Sequence, residues 1–400
     1  MTEAAAPPAA PRIVTAPVLD KVRALAAQVG GLKALAHEAQ VREALTRTEL
    51  TLALHESLAA RAALQASLRD QALAAYRARR PSTTRRSGRP AQMLDRLLLR
   101  LGSLGQACVI ARSGVWRGTG RPLHDFRHMA AYARRGANPA VAPLAPFDQA
   151  WYLAAYPDVA ARRIAPLVHY LVSGGREGRA PSALFEPAWY AREHAVALAA
   201  TSVTPLEHYV RTGAGGQGAP HPLFDVGHYL AQSGPLAAGD DALSHYLREG
   251  WALGLSPHPL FDPAWYRRQV QTTEPPLSHY LTTGWREGLS PHPLFDGRWY
   301  LEQNPEVAAS GVEPLTHFLA EGGRLGRSPS PWFDAAHYIE ARGDGLAPGV
   351  NPLVDYLQGG AWAIAEARPG FPTAAYLAKQ PGLARDGVTP LEHWARQGAP

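Results

Sequence analysis

Six histidines recur at one place in a repeated segment of this 400-residue chain: His169, His208, His245, His279, His317 and His393. A seventh copy carries Asp355 there. An imidazole can ligate a metal, move a proton or hold a hydrogen bond. Metal binding needs several ligands converging on one point, and one histidine per copy supplies no such cluster. On a helix, Leu167, Tyr170 and Leu171 share a face and His169 points roughly opposite. It would then meet solvent, where it can bind something, or the next copy. The expectation is a hydrogen bond between copies, to a loop carbonyl, because buried polar groups need partners. Trp251 and Trp285 can stack on a sugar ring or a partner side chain. They are expected instead to cover loop surface, since a tryptophan gains most by packing its large apolar area.

Other chemistry is thin. The chain holds no P-loop, dinucleotide-binding glycine pattern, nucleophile elbow or H-E-x-x-H. No catalytic, cofactor-binding or metal-ligating residue is assigned, and no cofactor is expected. Asp240-Asp241 resembles an acidic metal motif, but it precedes His245 where Asp241 serves as a helix N-cap. The single cysteine, Cys108, excludes a disulfide framework. Beside Val109 and Ile110 it reads as a buried, inert thiol.

The net charge of +6 is polarised. Residues 1–146 carry 22 Lys+Arg against 9 Asp+Glu, hence +13, and residues 147–400 carry 18 against 25, hence −7. Arg77, Arg79, Arg80, Arg85, Arg86 and Arg89 fall in one acid-free stretch broken by proline, serine and glycine. Such a linker suits an anionic membrane surface, nucleic acid or an acidic partner, or is a solvated hinge. The negative charge of residues 147–400 disfavours nucleic acid there.

These residues need elements to position them. Residues 1–17 read as a disordered tail, not a signal peptide. Over residues 18–79, Val18, Val22, Leu25, Val29, Leu32 and Ala36 alternate steps of four and three, a coiled-coil seam suited to self-association or partner docking. Residues 80–92 form the basic linker. Residues 93–146 read as a helical connector ending in a degenerate cap around His128–Gly136. Residues 147–400 repeat seven times. Phe147, Phe185, Phe224, Phe261, Phe295, Phe333 and Phe371 stand 38, 39, 37, 34, 38 and 38 apart, a period of helical arrays. In Phe147-Asp148-Gln149-Ala150-Trp151-Tyr152, Asp148 is the N-cap and Phe147 and Tyr152 are a hydrophobic staple. Pro187 and Pro263 fall at the first helical position. Phe371-Pro372 lacks the acidic cap. A second helix follows, with capping boxes at Thr204–Glu207 and Thr389–Glu392. A glycine stands five residues after each His or Asp (Gly174, Gly213, Gly250, Gly284, Gly322, Gly360, Gly398), where a left-handed C-cap is expected. The fold class is therefore all-α: a long N-terminal helix or coiled coil, then a seven-unit array of helical hairpins.

The boxes F-D-x-x-W-Y-L, P-D-V-A and P-L-x-H-Y-L-x-x-G-x-x-E-G-R-x-P resemble tandem repeats of bacterial proteins, often attached to glycosyltransferases and to rhamnan-synthesis-type proteins of surface-polysaccharide assembly. Phe147–Pro181 and Phe261–Pro291 carry the resemblance best, and it extends over about residues 121–400. In such relatives a separate transferase domain holds the chemistry, so no catalytic residue carries over. The resemblance implies a non-enzymatic scaffold, cytoplasmic and peripheral to the inner membrane, with a protein or glycan partner. The alternatives are an accessory or truncated piece of a glycosyltransferase, and a membrane-surface tether resting on residues 77–112.

Overall fold

The computed structural model describes residues 90–400, apart from 137, 139, 163, 202, 213–217, 238, 364, 365, 399 and 400, and the isolated positions 21, 28 and 67. Two compact units divide the chain, Met1–Ala66 and Ser67–Pro400. The expected tail, the coiled-coil seam, the six linker arginines and Gly213 lie outside the described residues. Among the described residues the chain is all-α, and extended pairing is confined to isolated bridges such as His258 with Phe261, which close tight turns.

Three helices open the described part: α1 (Pro90–Leu99), α2 (Gly102–Ser113) and α3 (Pro122–Arg135). Helix thus begins at Pro90, inside the range expected as linker, because proline fits the first turn of a helix. Cys108 is half-buried, less enclosed than its apolar neighbours suggested.

From residue 147 each aromatic box starts a helix of seven or eight residues. Asp148 accepts the Trp151 amide at 2.9 Å, Asp225 that of His228 at 3.0 Å, and Asp296 that of Trp299 at 3.0 Å. Phe147 and Tyr152 pack with ring centroids 5.1 Å apart, as a staple should. At the seventh box Pro372 gives no side-chain cap. Replacing Asp296 by Ala should cost about 1 kcal/mol. Urea unfolding and faster exchange of the Trp299 amide would check it.

In five copies the second box is a single α-turn with proline or alanine first, such as Pro276–His279, that runs on into a π-turn, such as Tyr280–Gly284; in the other two it is a plain α-helix, Pro205–Thr212 and Pro390–Arg396. This wider turn was not foreseen. The glycine that ends the π-turn is not a left-handed cap, Gly174 having φ −56°, whereas Gly398, after the last α-helix, is left-handed as expected, with φ 80°. The left-handed residue comes four positions later, at Gly178, Gly254, Gly288 and Gly326. There the amide of the next residue reaches back, Leu255 to Gly250 and Leu289 to Gly284, at 3.0 and 2.9 Å. That is the six-to-one bond of a Schellman ending. Of the two expected capping boxes, Thr204–Glu207 forms reciprocally, at 2.7 and 3.3 Å. Thr389 offers no side-chain cap: its hydroxyl faces the Glu392 carboxylate, which Arg396 also holds. Extra short helices, Pro157–Ala160, Ala195–Ala200, Pro305–Ser310 and Leu383–Asp386, lie between the two boxes of four copies.

Neighbouring copies are joined by main-chain and tyrosine bonds. The amide of each starting acid donates to a carbonyl just before the next copy, Asp225 to Pro257 and Asp262 to Pro291, both at 2.8 Å. The Leu243 amide donates to the Tyr209 hydroxyl of the preceding copy, and Leu391 to Tyr356, at 3.3 and 3.2 Å. Tyr132 of α3 does the same for Leu167, at 3.0 Å. Phe318 lacks the hydroxyl. There Asn351 caps Leu353 itself at 3.0 Å and donates to the Phe318 carbonyl.

Candidate functional site

The recurrent histidines point inward. The Tyr152 hydroxyl pairs with His169 Nδ1 at 3.0 Å, Tyr190 with His208 at 2.8 Å, and Tyr229 with His245 at 2.5 Å. Tyr266 pairs with His279 at 2.7 Å, Tyr300 with His317 at 2.9 Å, and Tyr376 with His393 at 2.8 Å. In the divergent copy the Tyr338 hydroxyl donates to Asp355 at 2.5 Å, and Arg342 holds the same carboxylate at 2.9 Å. The bond is therefore to a tyrosine of the same copy, not to a loop carbonyl of the next. The expectation failed because it took the histidine to lie opposite Tyr170. The helix before it instead brings its own tyrosine across that face.

This pairing explains the glycine. A β-carbon on Gly250, Gly284 or Gly322 would collide with the hydroxyl of Tyr229, Tyr266 or Tyr300. The tyrosine oxygen lies over a bare Cα, and the imidazole closes the third side. Burial pushes the imidazoles of His169, His208 and His317 below the ordinary histidine range. It pushes the tyrosine hydroxyls up, so both partners stay neutral near pH 7.

Trp251 and Trp285 are half-buried against the core. Arginine covers each: Arg267 lies over Trp251 at 5.7 Å and Arg286 over Trp285 at 4.3 Å from the ring centre. The same pairing recurs where Arg268 lies over Trp265 at 5.2 Å and Arg192 over Trp189 at 5.9 Å. Asp241 caps the Ser244 amide at 2.8 Å and takes Arg117 at 2.6 Å, which leaves it engaged as a cap.

A second histidine series escaped the sequence reading. His221, His258 and His292 sit in the loops before three aromatic boxes, each within Pro-His-Pro-Leu-Phe. That pentapeptide, three times over, was the available signal. All three are buried. Their Nδ1 atoms accept the amides of Leu223, Leu260 and Leu294 at 3.0, 3.0 and 3.2 Å. Serine takes the place at Ser182 and Ser330. Burial drives His221 and His258 down to about 3, with His258 adding to the effect on His221.

The loops with His258 and His292 border a cleft of about 470 Å³ lined also by His228, Gln232, Asp262, Glu392 and Arg396. Arg396 closes its far side, donating to Asp262 at 2.5 Å across 134 positions of sequence and to Glu392, four positions before it, at 2.6 Å. At the other end Arg117 bridges to Asp240 at 2.7 Å. Copies separated by two others thus come into contact, and the chain coils on itself. His292 Nε2 stands 3.9 Å from Glu392. The carboxylates and the guanidinium already satisfy one another, so this arrangement fastens one turn of the coil to the next.

Among the described residues no group of three or more histidine, cysteine or acidic side chains could hold a metal ion. No protein-family model, curated protein or solved structure matches this chain.

Proposed function

We propose that residues 147–400 act as a seven-unit helical-hairpin array whose work is to bind a protein partner along its outer surface, with α3 closing the N-terminal end. The observation that carries this reading is the use made of the repeated polar residues. Each His or Asp is spent on the tyrosine of its own copy, and the Tyr132, Tyr209 and Tyr356 hydroxyls are spent on the copy that follows. What recurs toward the outside is the tryptophan–arginine pair, a residue combination that anchors protein contacts. The setting in bacterial surface-polysaccharide assembly rests on the motif resemblance alone.

The full chain coupled to a matrix should retain a defined protein from its native cell in stoichiometric amount. The variant with Trp265, Arg268, Trp285 and Arg286 all replaced by serine should release it. Retention unchanged by those four substitutions would end the outer-surface reading. The motif resemblance carries a second reading, an accessory piece of a glycosyltransferase. Titration with UDP-, GDP- and dTDP-sugars separates the two, because micromolar binding supports the accessory reading and the scaffold expects none.

A further inference from the structure

Four leucines are uncovered where the array begins. Leu94, Leu97, Leu101 and Leu104 are 44%, 58%, 65% and 58% exposed. Leu94 and Leu97 lie one turn apart on α1, and Leu101 and Leu104 follow in the connecting turn and the first turn of α2, so a stripe of exposed leucines spans the junction of the two helices. Leu98 and Leu99, between them, pack on the core instead. The stripe lies in an acid-poor surrounding: residues 90–136 hold eight arginines and two aspartates. Both aspartates are engaged, Asp95 with Arg112 and Asp125 with the Thr119 amide and hydroxyl. Arg100, Arg121, Arg127, Arg134 and Arg135 are exposed.

An exposed leucine stripe among unneutralised arginines suits one kind of surface. Leucine side chains enter the headgroup boundary of a bilayer while arginines meet the phosphates of anionic lipids. A second copy presenting the same face would set these exposed arginines against their own counterparts, which opposes self-pairing there. Among the described residues no helix is long and apolar enough to cross a membrane, so the contact is with the surface. We propose that α1 and the first turn of α2 seat this chain on an anionic lipid bilayer.

The test is flotation of the full chain with phosphatidylcholine vesicles with and without 30% phosphatidylglycerol, across a salt series. Binding should require the anionic lipid and weaken steeply as salt rises. Replacing Leu97, Leu101 and Leu104 by Ser, at exposed positions where folding is undisturbed, should lower partitioning at least tenfold. Replacing Arg100, Arg121, Arg127 and Arg135 by Ser, with the leucines intact, should remove the salt dependence. No binding to the anionic vesicles overturns the proposal, as does binding that the leucine substitutions leave unchanged. A change of oligomeric state in the leucine variant, by light scattering, also overturns it and assigns the stripe to a protein interface.

Discussion

Gly250→Ala should destabilise its copy by about 3 kcal/mol, far more than the helix propensity of alanine would return. The new methyl would occupy the place of the Tyr229 hydroxyl, and the ring carbon behind it lies only 3.0 Å away. Moving the ring breaks the 2.5 Å bond to His245 and strands a buried imidazole nitrogen. Tyr229→Phe alone should cost about 1–2 kcal/mol through that lost bond. The double variant should cost less than the sum by about 1.5 kcal/mol, since removing the hydroxyl opens the space the methyl needs. Gly254→Ala in the same copy is the contrast. Its φ of 78° strains any side chain, but nothing stands within 4 Å of the added carbon. It should cost about 1 kcal/mol, with no rescue by Tyr229→Phe. Urea unfolding of these five variants, the two doubles included, measures these terms. Strict additivity of Gly250→Ala and Tyr229→Phe would show that the hydroxyl is not the reason for the glycine.

That pair of glycines marks how far the sequence could be read. The features it disclosed were local ones. Asp148, Asp225, Asp262, Asp296 and Asp334 cap helices through the next three residues, and Pro187 and Pro263 preset the first turn. The Phe147–Tyr152 staple spans five positions. Period and caps together were enough for an all-α reading. Gly250 was also noticed, but its reason was misassigned, because the atom that requires it belongs to Tyr229 on another helix. A left-handed C-cap was the nearest local explanation, and Gly254 turned out to hold that role. Arg396 reaches Asp262 and Arg117 reaches Asp240 across more than a hundred positions, and no periodicity announces such pairs. The loop histidines were legible in principle. Pro-His-Pro-Leu-Phe repeats, but attention to the helical histidines left His221, His258 and His292 in segments read only as loops.

Those loop histidines set the acid limit of the fold. In the unfolded chain each titrates near 6.5, whereas burial holds His221 and His258 down to about 3. A depressed folded value means that the unfolded state binds more protons below pH 6.5, so stability falls as the solution is acidified. Above pH 6.5 both states hold neutral imidazoles and the contribution is complete. Each site then loses about 1.4 kcal/mol per pH unit on the way down toward 3. By pH 5 the two together remove about 4 kcal/mol. The exposed carboxylates held low by hydrogen bonds and arginine, such as Asp158 and Glu306, add their losses only below the carboxylate range. Glu313 works in the opposite sense, its carboxyl raised by burial. The window between pH 6.5 and 5 therefore belongs to the histidines, the loop pair foremost, with His292, His169, His208, His228 and His317, also lowered by burial, reinforcing the trend. Asparagine can accept the amide two residues on, as Nδ1 does for Leu223 and Leu260, but it does not titrate there. His221→Asn with His258→Asn should thus remove about 4 kcal/mol of the stability lost between pH 6.5 and 5 while changing it little at pH 7.5. Urea midpoints at half-unit pH steps would decide it, and a double variant that loses as much as the parent over that range would move the acid sensitivity to other groups.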